Sequence, residues 1–418
     1  MVSLLKLGIS STTYALPSTI LLSERLRKEF PNLLIILGGA HANIAGIHAA
    51  KNITFVDIVC CHSEGETVVL DILSKFSKHN FNRKTFLNDI STMKSIKGII
   101  FRNKDEIVKN LPGDIIKDLD YLPLPARELF PIERYVPLPN QYKKLPLTNM
   151  IVIRGCPYVC TFCDQAATTA RRRSPQKVIE EIREVVKKYG VKEISFWDDT
   201  MSYHKKWMIE FCTLLAEAKL DVIWSCYAAV NTVNQEILHL MKKAGCWNIF
   251  YGYETGVPEL AENIKTNRKN KSMEHMMEVA KWTKEAGIEV RGSFMIALPG
   301  ENPELAEQTI QDAIKLDPEY AQFSITTPYP GTALYDEIKE GKWGKLTTED
   351  FSEFQGWNVV FLPDGYKNKE EIINISKKAF RKFYIRPKFI LKAILNIRSL
   401  EDIKRYFKGF RALIKGFV

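Results

Sequence analysis

The chain has no run of about 18 uninterrupted apolar residues, so no membrane-spanning helix is expected, and its opening, MVSLLKLGISSTTY, holds an apolar stretch too short for a secretory h-region. Cysteine is sparse: 8 residues in 418 are too dilute for a disulfide scaffold. Gly/Ser low-complexity tracts and internal repeats are missing too, which sets aside long disordered linkers and solenoids. These absences lead to the expectation of a soluble, cytoplasmic protein with more than one apolar core. A basic body is also lacking. The net charge is +10, but 13 Lys/Arg lie in residues 377–418 against Glu401 and Asp402, a local +11 that leaves about −1 for residues 1–376. Nucleic acid is therefore an unfavoured partner. Any attraction to a polyanion or an anionic membrane belongs to 377–418, where residues 386–398 and 403–417 interleave aliphatic and aromatic residues with Lys/Arg in the manner of an interfacial helix. Packing of this tail back onto the body, basic face outward, is an equal alternative.

What is present is alternation. Apolar runs at 5–10, 33–37 and 55–60, separated by helical spacing at 17–30 and followed by 68–76, predict βαβαβα with strands buried on both faces. Residues 97–107 read as a hairpin turning at Asn103-Lys-Asp105. Pro123, Pro125, Pro131 and Pro137 mark a linker. From residue 148 the alternation resumes, with strands expected at 149–153, 193–197, 222–227, 248–253, 289–296 and 320–326 and helices between them. Six strands make a partial (β/α)6 barrel of TIM type, because closure takes eight units. An open side suits a large substrate or a docked domain. The expected divisions are an α/β unit at 1–118, a linker at 119–147, the barrel at 148–335 and a helical basic region at 336–418.

Arg154-Gly-Cys-Pro-Tyr-Val-Cys-Thr-Phe-Cys163 follows the first barrel strand, on the face where barrels carry their chemistry. A 4Fe–4S cluster ordinarily takes four cysteines. Three ligands, Cys156, Cys160 and Cys163, leave one iron open, and an open metal position binds substrate rather than stapling structure. A fourth ligand from His204 or another cysteine is the alternative, giving zinc or a closed electron-transfer cluster, although no second Cys-x2-Cys pair exists. Cys60, Cys61, Cys212, Cys226 and Cys246 read as core residues.

The Cys-x3-Cys-x2-Cys spacing with Phe162 before the third cysteine, on the first loop of a six-strand barrel, resembles the radical S-adenosylmethionine (SAM) superfamily over about residues 148–335. The resemblance implies a 4Fe–4S cluster whose open iron binds SAM, an external one-electron reductant, and a 5′-deoxyadenosyl radical that takes hydrogen from an organic substrate, here unidentified. It implies cofactor contacts from Phe162 and from Asp198 and Asp199 in Ser195-Phe-Trp-Asp-Asp199, where capping of the next helix by Asp199 or Thr200 is the bland alternative. Tyr251-Gly-Tyr-Glu-Thr-Gly256 similarly places Glu254 and Thr255 at the cofactor. Gly292-Ser-Phe-Met-Ile-Ala-Leu-Pro-Gly-Glu301 resembles the adenine-lining segment and contributes Met295, with Ala297 where glycine is usual. The arginine expected near Ala229 is missing, so Arg291 is its candidate replacement; Asn231 is a further contact or the start of a helix. Arg171-Arg-Arg-Ser-Pro-Gln-Lys-Val178 resembles the subfamily of these enzymes that carries a cobalamin-binding domain, or is a solvated turn before a helix starting at Pro175.

The N-terminal unit is similar to the cobalamin-binding domain that precedes many such enzymes, an incomplete doubly wound Rossmann-like fold in this chain. The implied cobalamin contacts are Ser10, Ser11 and Thr12, then Gly38, Gly39 and His41, then Glu64, Gly65 and Glu66, at successive strand ends. The first strand resembles the third of the usual five, so an unpaired edge and weakened or lost cobalamin binding are expected unless a partner completes the sheet. The reaction implied first is cobalamin-dependent methylation of an unactivated carbon. The alternatives are a cobalamin-independent oxidoreductase or cyclase, a tRNA-modifying radical enzyme, and a non-catalytic iron–sulfur or basic-tailed binding protein.

Overall fold

The computed structural model describes residues 5–138 and 141–395. The chain folds into two compact units: residues 1–117 with 327–340 and 346–360, and residues 118–326 with 341–345 and 361–418. No helix among the described residues is long and apolar enough to cross a membrane. The second half of the tail reading, at 403–417, lies outside the described residues.

The first unit is a five-stranded sheet in the order β1 (Lys6–Ser10), β2 (Leu34–Gly38), β3 (Ile58–Cys60), β4 (Ile99–Asn103), β5 (Glu106–Lys109). β1, β2 and β3 run parallel, and the β4–β5 hairpin adds antiparallel to β3, turning through Lys104 at φ 53°. Alternate residues of β2 feed two cores. Leu33, Ile35 and Leu37 pack with Leu16 of α1 (Leu16–Glu29), with Ala42 and Ala49 of α2 (Ala40–Asn52) and with Phe351, Phe354 and Val360, while Leu34 and Ile36 pack with Val68, Ile72 and Phe76 of α3 (Gly65–Lys78). Among the described residues β1 is an edge strand, its side chains exposed or half-buried in alternation. Asp57, the one charge in the third apolar run, is buried and held by Arg27 at 2.7 Å and Arg83 at 2.5 Å. Its Oδ2 also accepts the N–H of Ile35 at 2.9 Å.

The second unit carries a six-stranded sheet, parallel throughout and in chain order: β6 (Leu147–Met150), β7 (Glu193–Phe196), β8 (Ile223–Ala228), β9 (Cys246–Glu254), β10 (Glu289–Ile296), β11 (Tyr320–Ile325). Helices α4 (Pro175–Tyr189), α5 (Lys205–Glu217), α6 (Gln235–Lys243), α7 (Met273–Glu285) and α8 (Pro303–Leu316) fill the crossovers. This is the partial barrel expected from the strand count. The first strand ends earlier than its apolar run, because Asp198 takes the N–H groups of Val152 and Ile153 out of the ladder. One sheet face is aromatic and sealed by helices: Phe196, Trp224, Tyr251, Tyr253 and Phe294 are fully buried. The opposite face presents Ser195, Tyr227, Phe250, Ser293 and Ser324, all half-buried.

Helix α9 (Lys369–Tyr384) closes the free edge of β11, where the Tyr384 hydroxyl donates to Ala321 O at 2.7 Å and accepts from Ala321 N at 3.1 Å. Basic residues of the tail are used here: Lys378 and Lys382 pair with Glu307, and Arg386 and Lys388 with Asp317. The solvated-turn alternative for residues 171–173 fails. Arg171–Arg172 pairs antiparallel with Ile153–Arg154, and Arg173 is buried against Glu181, which also holds Arg127 of the linker at 2.6 Å.

Candidate functional site

The loop from Gly155 to Thr168 leaves the first barrel strand and is fixed by its own backbone. Gly155 has φ +91°, and a Cβ there would stand 2.5 Å from Thr169 O, so only glycine makes this turn. Thr168 then closes the loop, accepting from Cys156 N at 2.8 Å while Thr168 N donates to Cys156 O at 3.0 Å. Cys156 and Cys160 are buried and Cys163 half-buried. Cys163 Sγ accepts from Gln165 N at 3.4 Å, and Thr200 Oγ1 lies 3.9 Å from Cys156 Sγ. Burial pushes the Cys160 thiol up to about 11 and the Cys163 thiol up to about 12. A thiolate is therefore not favoured here by the protein environment alone; a bound metal would supply the charge that stabilises it.

The chemistry of the donor set fits a cluster: three thiols on one loop, two buried and one half-buried, can each take a different iron of a cubane. His204 is engaged as the N-cap of α5, its Nδ1 accepting from Trp207 N at 3.2 Å. Capping by Asp199 or Thr200 is thereby replaced.

Two acidic positions frame the loop differently. Asp198 Oδ1 accepts Val152 N at 2.7 Å and Ile153 N at 2.5 Å, and burial pushes its carboxyl up to about 7 against those donors. Asp199 Oδ2 accepts Gly155 N at 3.2 Å. Both carboxylates thus hold the strand-to-loop corner that presents Cys156. Glu254 stands at φ +60° and pairs with Lys269 at 2.6 Å, both side chains buried. Although burial opposes its charge, Glu254 and the neighbouring Cys160 and Cys163 raise the Lys269 pKa to about 12. Gly252 makes room for this pair, since a Cβ there would meet Glu254 Oε1 at 2.5 Å and Lys269 Nζ at 2.7 Å.

The remaining cofactor candidates divide. Phe162 and Met295 pack together with Val257, Leu260 and Leu298 beside the loop. Ala297 at φ +62° explains why glycine suits that position. Asn231 accepts from Tyr158 OH at 2.5 Å and donates to Arg268 O at 2.8 Å, tying the cysteine loop to the turn that bears Lys269; it does not start the helix, which Asn234 caps. Thr255 is buried and bonded to Thr309 at 2.9 Å and to Val257 N. Arg291 lies four residues before Met295 on β10, over the ring of Phe250 at 4.7 Å. Lys269 escaped the sequence reading because it belongs to no motif, and Thr200, 3.9 Å from Cys156 Sγ, reads in the sequence only as a helix cap.

In the first unit the ends of β1 and β2 are bonded to each other. Ser11 N donates to Gly38 O and His41 N to Ser11 O, each at 3.0 Å. The His41 ring is fully buried, with Nδ1 3.1 Å from Thr13 Oγ1 and its edge toward His48 and Phe351. Burial pushes its pKa down to about 4, so it stays neutral inside the unit. Thr12 lies in the same loop; Glu64 is half-buried, and Gly65 and Glu66 are exposed at the start of α3. Gly38 and Gly65 have open space where a Cβ would stand and no left-handed φ. Neither sterics nor backbone demands glycine there, which fits close approach of a ligand.

Residues 150–313 match the model of the radical SAM superfamily. The chain thus carries a radical SAM domain over these residues, with the three-cysteine loop at the head of its six-stranded parallel sheet. It is 29% identical over 411 residues to the uncharacterized methyltransferase PH0819 of Pyrococcus horikoshii, covering 96% of this chain and 83% of that one. It is 27% identical over 424 residues to the anaerobic magnesium-protoporphyrin IX monomethyl ester cyclase of Cereibacter sphaeroides, covering 98% of this chain and 65% of that one. Its fold is similar to that of the radical SAM methyltransferase TsrM from Kitasatospora setae, solved with cobalamin and a 4Fe–4S cluster bound: TM-score 0.66 at 14% identity, over 92% of this chain and 78% of that one.

Proposed function

We propose that this protein is a cobalamin-dependent radical SAM methyltransferase acting on an unactivated carbon of an organic substrate. The observation that carries the reading is the three-thiol loop at the head of the parallel sheet, two thiols buried and one half-buried, with the Lys269–Glu254 pair beside it. Cys156, Cys160 and Cys163 would hold the cluster, and SAM would lie between that loop and the Phe162–Met295 surface. A cluster held there would supply one-electron reduction, from an external reductant, for cleavage of a carbon–sulfur bond of SAM. The protein's own part is placement. Asp198 and Asp199 hold the loop corner, Tyr158 and Asn231 tie the loop to the Lys269 turn, and the Lys269 ammonium offsets the negative charge of a thiolate-bound cluster. The loops after β1, β2 and β3 would take cobalamin, supported by the resemblance of the N-terminal unit and by Gly38 and Gly65.

A second reading, oxidative ring closure, is favoured by the likeness to the magnesium-protoporphyrin IX monomethyl ester cyclase along nearly the whole chain. Anaerobic reconstitution followed by reduction with dithionite tests the class: release of 5′-deoxyadenosine from SAM is expected, and none from a cluster-loaded preparation would overturn it. Titration with hydroxocobalamin and gel filtration then separates the reactions. Stoichiometric retention supports methyl transfer, whereas no retention favours a reaction that uses SAM alone.

A further inference from the structure

Arg291 is a buried cation, 8% exposed, and among the described residues it has no carboxylate at ion-pair distance. Its neighbours are aromatic. Strand register sets Tyr227, Phe250, Arg291 and Tyr320 side by side across β8, β9, β10 and β11. The contacts run along one face of the sheet: Trp197 lies 5.6 Å from Tyr227, Tyr227 is edge-on to Phe250 at 5.0 Å, and the guanidinium covers Phe250 at 4.7 Å. This is the face away from the helices, where Ser293 and Ser324 are half-buried and Gln322 is exposed. A buried guanidinium without a counter-ion is a large penalty, and stacking on one ring returns only a small part of it. Elsewhere in this unit a buried arginine is paired: Arg173 and Arg127 share Glu181.

We propose that Arg291 is the anion-recognition residue of the substrate pocket, taking a carboxylate or phosphate of a substrate whose flat apolar body lies along Trp197, Tyr227 and Phe250. The inference rests on the functional reading only in assuming that the inner face of the barrel holds substrate. A guanidinium forks onto either anion with two parallel hydrogen bonds, which an ammonium does not. The strand sets a length. Met295, beside the cysteine loop, is four residues up the same face, roughly 13 Å at the strand rise. Arg291 and the loop end of the strand thus lie on the order of 10 Å apart, so an anion held at Arg291 fixes which atom of the substrate reaches the loop.

Equilibrium dialysis of the full chain against 2-naphthoate, 2-naphthyl phosphate and neutral 2-naphthamide tests this, since the three share a flat body. At least about tenfold tighter binding of one or both anions than of the amide is expected. Whichever anion leads identifies the substrate's group. Arg291→Gln should bring the anions to the level of the amide, and Arg291→Lys should leave a reduced preference. If Arg291→Gln shows no cooperative melt, Arg291→Lys serves alone, and an undiminished preference there counts against the proposal. Equal binding of all three probes by the wild-type chain, or an unchanged preference in Arg291→Gln, overturns it. Iron content and SAM cleavage of the wild type are read separately, so a failure of the radical reading leaves the probe result standing.

Discussion

Both units contain a buried carboxylate that gathers two arginines, Asp57 with Arg27 and Arg83 in the first and Glu181 with Arg127 and Arg173 in the second. They do so in sheets built to opposite ends. The N-terminal sheet is apolar on both faces, so its polar residues are confined to strand ends and to the Asp57 cluster. The C-terminal sheet is apolar on the helix side alone, and its other face keeps serines, aromatics and Arg291, which has no carboxylate at ion-pair distance among the described residues. A sheet covered on both sides offers a ligand only its ends; a sheet covered on one side offers a wall as well.

The largest way to sharpen that contrast is to remove the chemistry from one unit and leave its frame. Alanine at Cys156, Cys160 or Cys163 should abolish cluster assembly and SAM cleavage, read as iron and sulfide per chain and as 5′-deoxyadenosine. The far-ultraviolet circular dichroism should hold, because the loop is fixed by Gly155 and Thr168 and not by the thiols. Loss of both units' structure would break the comparison.

Next come the carboxylate clusters. Glu181→Ala strands two buried guanidiniums, 10% and 9% exposed, and should destabilise by about 3–5 kcal/mol in urea unfolding. Asp57→Ala leaves arginines that are 16% and 28% exposed and better able to reach water, so a smaller loss, about 2–3 kcal/mol, is expected. The reverse order would show that exposure is not what separates them.

A smaller effect is pH-dependent. Glu301 is fully buried, accepting from Ala297 N at 2.5 Å and Tyr366 OH at 2.5 Å, and burial pushes its carboxyl up to about 7. Its folded pKa lies above the unfolded one, so its contribution is full below about 4.5 and is lost as pH rises through about 7. Between about pH 5 and 8 the wild type should lose on the order of 2 kcal/mol that Glu301→Gln does not lose, measured as unfolding free energy at each pH. Parallel pH profiles would remove Glu301 from the account. Least of all, Glu307→Gln should lower stability by less than about 1 kcal/mol, because its lysine partners are solvated. A larger drop in the melting temperature would mean that α9 is held to the sheet by charge rather than by the Tyr384 contacts with β11.

Some of this was readable without coordinates. Period-2 and period-3.6 patterns are local properties of the chain, and they located the N-terminal strands, the hairpin turn at Lys104 and all six barrel strands, with the first displaced because Asp198 intervenes from 45 residues away. The N-caps of α4, α6, α7 and α8 are the Ser and Asn residues before each helix, again a local signal, whereas His204 at α5 is an unusual cap that residue type does not announce.

By itself, then, the sequence determined the cysteine spacing, the βα alternation and the balanced charge of the body, because each depends on residues near one another in the chain. Tertiary structure decided who meets whom. It brought Lys269 beside Glu254 and the thiols, turned Asp198 to the backbone, returned residues 327–340 and 346–360 to the first unit, and set Arg291 against Phe250 rather than against a carboxylate among the described residues. Each outcome depends on strand register and crossover packing between residues distant in sequence, where a side chain's type states what it can bond but not which partner will be within reach.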